Sequence, residues 1–221
     1  MNKIKAVIFD MDGVIIDSEP LYFQIQEELF NNLGFIVSKQ EYDTFIGAGM
    51  QLMWEKLCSK HNLPFTIKQL IIMNNDLIYK TFKNSNSLQA TEGFNSFLTS
   101  IKEMGIKTAV ASSTSKKIIN VILSRLGIIH EFDVIISSEE VLQGKPEPVI
   151  FLEAATRLNV DPKKCIVIED STNGVKAAAR AGMKCIGFSN KNSGEQNLSL
   201  ANIVVDNFAN IDLNKINLLF L

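Results

Sequence analysis

Asp10 and Asp12 close the apolar run Ala6-Val7-Ile8-Phe9, and Gly13 follows them at once. Four apolar residues, two of them β-branched, predict a short strand buried on both faces. If that strand continues, carboxylates at i and i+2 share one of its faces at the carboxyl end. Open parallel sheets place their chemistry at that end, and Gly13 lets the backbone turn away from it. A polar exit from a strand would look the same, so the acid pair alone decides nothing.

Three further strand ends carry reactive residues. The run 106–111 leads into Ser112-Ser113-Thr114, and Gly144-Lys145-Pro146-Glu147-Pro148 follows an apolar run near 134–136. The run 165–168 ends in Glu169-Asp170-Ser171, with Gly174 near the start of the next helix. Singly, a serine is a cap or turn residue, Lys145 a solvated charge and Glu169-Asp170 a helix start. In order they read acid pair, hydroxyl, lysine, acid pair, each after a buried strand. The task these groups suggest is phosphoryl transfer through an aspartyl-phosphate. A carboxylate attacking a phosphate ester meets another anion, so the reaction needs a cation beside it.

The elements that must position these groups alternate between strand and helix, which predicts an α/β fold with a parallel sheet. Phe94, Phe97, Leu98, Ile101 and Met104 keep helical spacing until Gly105 stops them. Strand 106–111, a helix through Ile118 to Leu126, strand 133–136, helix 148–158, strand 165–168, helix 173–181 and strand 184–188 follow. Residues 203–205 form a short edge strand. The stretch 18–88 differs: it shows helical periodicity and no convincing strand. Leu21, Ile25, Leu29 and Leu33 share one face, and Ser38-Lys39-Gln40-Glu41 is a capping box. The polar run Asn84-Ser85-Asn86-Ser87 suits a connector.

With these residues in place, the chain resembles the haloacid dehalogenase superfamily, in its phosphatase and β-phosphoglucomutase-like group. Asp10 to Pro20 (DMDGVIIDSEP), Gly144 to Pro148 (GKPEP) and Ile168 to Gly174 (IEDSTNG) carry the resemblance, which covers almost the whole length. Val149 departs from it, since similar proteins often have Asp after the second proline; the change touches helix capping more than chemistry. The resemblance implies a Rossmann-like parallel sheet core, residues 1–17 and 89–221, with an all-helical cap inserted as residues 18–88. It implies Asp10 as nucleophile and Asp12 as the acid and base that protonates the leaving alkoxide and then activates water. Asp10, Asp170 and the main-chain carbonyl of Asp12 would hold Mg²⁺, a hard cation that keeps several waters. Glu169 would stand behind the metal, reaching it through another ligand or water. Ser112, Ser113 and the N–H groups after Ser112 would hold phosphoryl oxygens, while Lys145 would oppose their charge and keep Asp10 ionised. In the cap, Gly47, Gln51 and Trp54 are possible substrate contacts. An acid at position 12 fits an oxygen leaving group, hence phosphate ester chemistry.

Bulk properties narrow the partners. The 221 residues, 46% hydrophobic and 21% charged, suffice for one domain with a smaller one inserted. A net charge of −2 and only three arginines give no reason to expect nucleic acid or an anionic membrane. No apolar run is long enough for a transmembrane span, and a strand begins too soon after Met1 to leave room for a signal peptide. Cys58, Cys165 and Cys185 read as buried thiols of a reducing compartment. The expectation is a cytoplasmic monomer acting on a small phosphorylated metabolite. Among enzymes the nearest rival is a β-phosphoglucomutase, which must grip a bisphosphate from its cap. Residues 18–88 contain no arginine for that purpose, and Tyr22 or a neighbour stands where such mutases carry His. A receiver-type phospho-switch domain shares the acids, hydroxyl and lysine but needs no long helical insert.

Overall fold

A computed structural model of the chain describes residues 4–46, 49–212 and 216–217. Strand β1 (Ala6–Phe9) is fully buried and lies between β2 (Lys107–Ser112) and β4 (Cys165–Glu169), parallel to both. Strands β3 (Val134–Ser137), β5 (Lys184–Phe188) and β6 (Ile203–Val205) complete a six-stranded parallel sheet in the order β3-β2-β1-β4-β5-β6. From β1 the chain builds outward through β2 and β3. It then crosses back to the other side of β1 and builds outward through β4, β5 and β6. The direction reverses between β1 and β4, so a crevice opens at the carboxyl ends of those two strands. Asp10, Glu169 and Asp170 stand at that point.

Strand pleating assigns each β1 side chain to one of two cores. Val7 and Phe9 join α5 (Phe94–Glu103) and α6 (Lys116–Arg125) on one face. Ala6 and Ile8 join α7 (Val149–Leu158) and α8 (Thr172–Arg180) on the other. Phe9 meets the rings of Phe94, Phe97 and Phe132 edge-on, with centroids 5.4, 6.2 and 6.2 Å away. Such contacts hold the root of the Asp10 loop rigidly. Helix α7 begins after Pro148 with no side-chain cap, in keeping with Val149 in place of Asp.

Between β1 and α5 lie α1 (Glu19–Asn32), α2 (Lys39–Asp43), α3 (Met50–His61) and α4 (Ile67–Asn84), with no strand among the described residues there. They have a core of their own in which Phe30, Trp54, Leu57 and Leu70 are buried. Ser38 caps α2 by accepting from Glu41 N at 3.1 Å, but the return half of the expected box is not made. The Glu41 carboxylate goes instead to Lys60, at 2.7 Å. The full reciprocal box occurs at Thr66 and Gln69, opening α4. Two connectors join this helical insert to the sheet, and Thr91 N donates across them to Ile15 O at 2.8 Å. Arg125 donates to Ser85 O and to Asn86 Oδ1 within the second connector. All three cysteines are free thiols; Cys165 and Cys185 are buried, whereas Cys58 is half-buried. Among the described residues no helix is long and apolar enough to cross a membrane.

Candidate active site

Strand β1 stops at Phe9, so the two acids do not share a pleated face. Asp10 N still donates to Ile168 O at 2.9 Å, and the chain then folds into a tight loop. The Met11 carbonyl accepts from Ile15 N at 2.8 Å and Ile16 N at 3.1 Å within that loop. Gly13 sits at φ +79°, a conformation that costs residues with a Cβ energy and glycine little. A Cβ there would lie 1.9 Å from Asp170 Oδ2, so the glycine also lets the β1 and β4 loops close on each other. Through this loop Asp10 and Asp12 line one cavity of about 470 Å³ together with Ser112, Ser113, Lys145, Glu169 and Asp170.

Lys145 ties the strand ends together. Its ammonium, on a buried side chain, donates to Asp10 Oδ1, to Glu169 Oε1 at 2.6 Å and to Ala111 O at 3.1 Å. These contacts satisfy all three of its donors. The other Glu169 oxygen accepts from Ser171 N at 2.7 Å and Ser171 Oγ at 2.9 Å. Gly174 is glycine for a specific reason: a Cβ there would fall 1.7 Å from Glu169 Oε1. Glu169 therefore holds Lys145, and Gly174 makes room for Glu169. Asp12 is held by hydroxyls: Ser18 Oγ donates to Oδ1 at 2.7 Å, Tyr22 Oη to Oδ1 at 3.0 Å and Thr114 Oγ1 to Oδ2 at 2.6 Å. Ser112 is buried at the end of β2, and its Oγ accepts from Thr114 N at 3.1 Å. Asp170 accepts a short bond from the buried Ser193.

The electrostatics calls for a cation. Six carboxylates line the cavity, from Asp10, Asp12, Glu19, Glu139, Glu169 and Asp170, against the single ammonium of Lys145 among the described lining residues. Burial pushes the Asp10 carboxyl up to about 8; Lys145 pulls against that, while Glu169 and Asp12 add to the push. Burial, then Glu169 and Asp10, push Asp170 well above the usual carboxylate range. The same two acids hold the buried Lys145 above its ordinary value. Among the described residues no group of three His, Cys, Asp or Glu side chains is set to hold a metal. The two cavity carboxylates of Asp10 and Asp170 make a hard oxygen set. It fits Mg²⁺, which is bound by few protein carboxylates and retains water.

The cap contacts expected from sequence fare differently. Trp54 is fully buried in the core of the insert, edge-on to Phe30 at 5.6 Å, and does not line the cavity. Gln51 is exposed and donates to Glu55 Oε1 at 2.9 Å, also away from the cavity. Met50 and Met53 of α3 line the cavity instead, while Trp54 turns into the core of the insert and Gln51 faces outward. Gly47 lies outside the described residues. Sequence reading gave no role to Ser18, Thr114, Ser171 or Ser193, since hydroxyls in loops carry no pattern. It also missed Glu19 and Gln26, whose signal is legible afterwards: positions 19, 22 and 26 form one polar helical stripe beside the apolar one.

The fold is α/β, and its acid-lined cavity opens at the β1–β4 switch point of the parallel sheet. The chain matches the family model of the haloacid dehalogenase-like hydrolases over residues 7–188. It is 34% identical over 187 residues to a phosphorylated carbohydrates phosphatase of Thermotoga maritima, covering 83% of this chain and 84% of that protein. The structure of CbbY from Rhodobacter sphaeroides in complex with phosphate superposes with a TM-score of 0.84 at 26% identity, covering 94% of this chain and 96% of that one. A β-phosphoglucomutase structure from Clostridium difficile gives 0.81 at 29% identity, covering 98% and 97%. The chain belongs to the haloacid dehalogenase-like hydrolases, among their phosphatases and β-phosphoglucomutase-like members.

Proposed function

We propose that the protein hydrolyses a small phosphate monoester, a sugar phosphate or similar metabolite, through an aspartyl-phosphate on Asp10 with Mg²⁺ beside it. The observation that carries this is the Asp10 carboxylate: it is buried, bonded to Lys145, and shares its cavity with Asp12, Asp170 and the Ser112–Ser113 loop. In this scheme residues 1–17 and 89–221 are the catalytic core and 18–88 the cap. Asp10 attacks phosphorus, forming the Asp–O–P bond as the ester P–O bond breaks. Asp12 gives its proton to the departing alkoxide. It then takes a proton from the water that attacks the phosphoryl group, releasing phosphate and restoring Asp10. Ser112, Ser113 and the N–H groups around them bind phosphoryl oxygens, and Lys145 offsets the charge that accumulates on them. Mg²⁺ held by Asp10, Asp170 and the Asp12 carbonyl would screen the two anions as they approach.

Release of inorganic phosphate from p-nitrophenyl phosphate and from a panel of monoesters tests the proposal. Turnover should require Mg²⁺, vanish with EDTA and return when Mg²⁺ is restored. Full turnover after rigorous metal removal would overturn the metal assignment. The mutase alternative needs a second phosphate clamp, and among the described lining residues Lys145 is the one cation, already bonded to Asp10 and Glu169. With β-glucose 1-phosphate and a trace of glucose 1,6-bisphosphate, free phosphate should therefore outrun glucose 6-phosphate. Fast isomerisation with little phosphate release would favour the mutase.

A further inference from the structure

The loop after β5 has polar side chains committed to three other parts of the molecule. Asn190 Nδ2 donates to Gly13 O and to Asp17 Oδ1, both at 3.1 Å, and Asn190 Oδ1 accepts from Asn192 N at 2.8 Å. Asn192 Nδ2 donates to the other Asp17 oxygen at 2.6 Å. Ser193, which is 3% exposed, donates to Asp170 Oδ2. The Ser193 carbonyl accepts from Gln196 Nε2 at 2.8 Å, and Gln196 Oε1 accepts from Thr172 N at 2.9 Å, at the start of α8. A Cβ on Gly13 would lie 2.8 Å from Ser193 Oγ, so the glycine that admits Asp170 also admits its hydroxyl partner. A Cβ on Gly194 would lie 3.7 Å from Ile46, so the same loop also meets the insert.

The two carboxylates at the ends of this loop differ in place and in duty. Asp170 is buried and lines the catalytic cavity, whereas Asp17 is exposed, stands in the first connector before α1 and does not line that cavity. A carboxylate turns about two single bonds, and a donor held on one of its oxygens fixes its plane. With Oδ2 taken by Ser193, Asp170 Oδ1 is the oxygen left for a cation. Partners of this kind matter at metal sites because they orient the ligand before the ion arrives. Water would serve the exposed Asp17 as well as two asparagine amides do, so those bonds add little stability. What they fix is position: the connector, the β1 loop and the hydroxyl beside Asp170 are set by one short segment, Asn190 to Ser193.

We propose that Ser193 is a positioning residue for Asp170, and that its loop makes cation binding at Asp10 and Asp170 depend on the first connector through Asp17. The inference rests on the cation assignment above and adds to it the residues that set the affinity, one of them outside the cavity. Binding of Mn²⁺ tests it without turnover, since this ion suits the same oxygen ligands and its free form is counted by electron paramagnetic resonance. Ser193→Ala should weaken Mn²⁺ binding about 10- to 100-fold. The Mg²⁺ concentration giving half-maximal turnover of p-nitrophenyl phosphate should rise in step. Asp17→Asn should weaken Mn²⁺ binding about two- to five-fold. Asp206→Asn removes the same charge from the surface cavity that Asp17 also lines, and should leave the affinity unchanged. In the double variant of Ser193→Ala with Asp17→Asn the loss should match that of Ser193→Ala alone, because the connector then has no hold on Asp170. Unchanged affinity in Ser193→Ala, equal effects of Asp17→Asn and Asp206→Asn, or additive losses in the double variant would overturn the inference while leaving the cation site. Absence of Mn²⁺ binding by the wild-type protein would instead overturn the cation assignment, and this inference with it. The two surface substitutions decide the matter even if Ser193→Ala folds poorly.

Discussion

The two walls of the cavity are built to opposite rules. On the sheet side the ionic side chains are fastened: Lys145 spends all its donors, Glu169 takes bonds at both oxygens, and Asp12 accepts from hydroxyls at both of its oxygens. On the insert side, Gln26, Glu19, Tyr42 and Asn75 present polar groups without such fastening. Fastened groups hold one geometry, which suits bond making at phosphorus, common to every monoester. Open groups wait for partners that differ between substrates. The contrast teaches that chemistry and choice are separable here, and substitutions on the two sides should fail in different ways.

The largest expected effect is on the sheet side. Asp10→Asn should lower kcat by about 10⁴-fold or more on every ester, because an amide cannot form the acyl phosphate. Far-ultraviolet circular dichroism should show the fold retained. Asp12→Asn should cost less, about 10² to 10⁴-fold, since it removes proton transfer and leaves the nucleophile. Steady-state kinetics with a poor and a good leaving group separates the two. Asp12→Asn should hurt the alkyl ester more than p-nitrophenyl phosphate, whose leaving group needs little help from an acid.

A third substitution tests how the sheet side is fastened. Gly174→Ala drives a methyl group into Glu169, and strain of this kind costs about 1–3 kcal/mol. Since Glu169 holds Lys145, kcat should fall along with stability, a pairing that urea unfolding and kinetics will register together. Trp54→Ala is the contrasting case in the insert. It removes a fully buried ring that touches no part of the cavity and should cost about 3–5 kcal/mol. The folded fraction should keep its preference among esters. A change in preference without loss of stability would blur the line drawn between cap core and cap wall.

How much of this was legible in the sequence follows the same divide. The strands and helices of the sheet domain could be read because buried parallel strands are continuous apolar runs and helices end at glycines such as Gly105 and Gly127. Asp10, Ser112, Lys145 and Asp170 could be found because each directly follows a strand or sits in a constrained turn. The part played by Ser18 and Thr114 beside Asp12 could not, since a hydroxyl in a loop looks the same whether or not it faces a carboxylate. Gly174 could be seen but not explained, because its reason is a carboxylate packed over its Cα. In the insert, an aromatic residue drew notice in Trp54, yet a large apolar ring in a small helical unit is needed first for its core. The polar stripe Glu19, Tyr22, Gln26 went unread because polar residues beside an apolar stripe ordinarily face water. Only the folded arrangement of α1 and α4 against the sheet turns that stripe inward.

The central claim is that phosphorus passes through Asp10. Rapid acid quenching of the wild-type protein during turnover of a phosphate-labelled monoester, followed by peptide mapping, measures it directly. Label should appear on the peptide containing Asp10, be released by hydroxylamine as an acyl phosphate, and be absent from Asp10→Asn. Label on another residue, or Asp10→Asn turning over at the wild-type rate, would contradict the account.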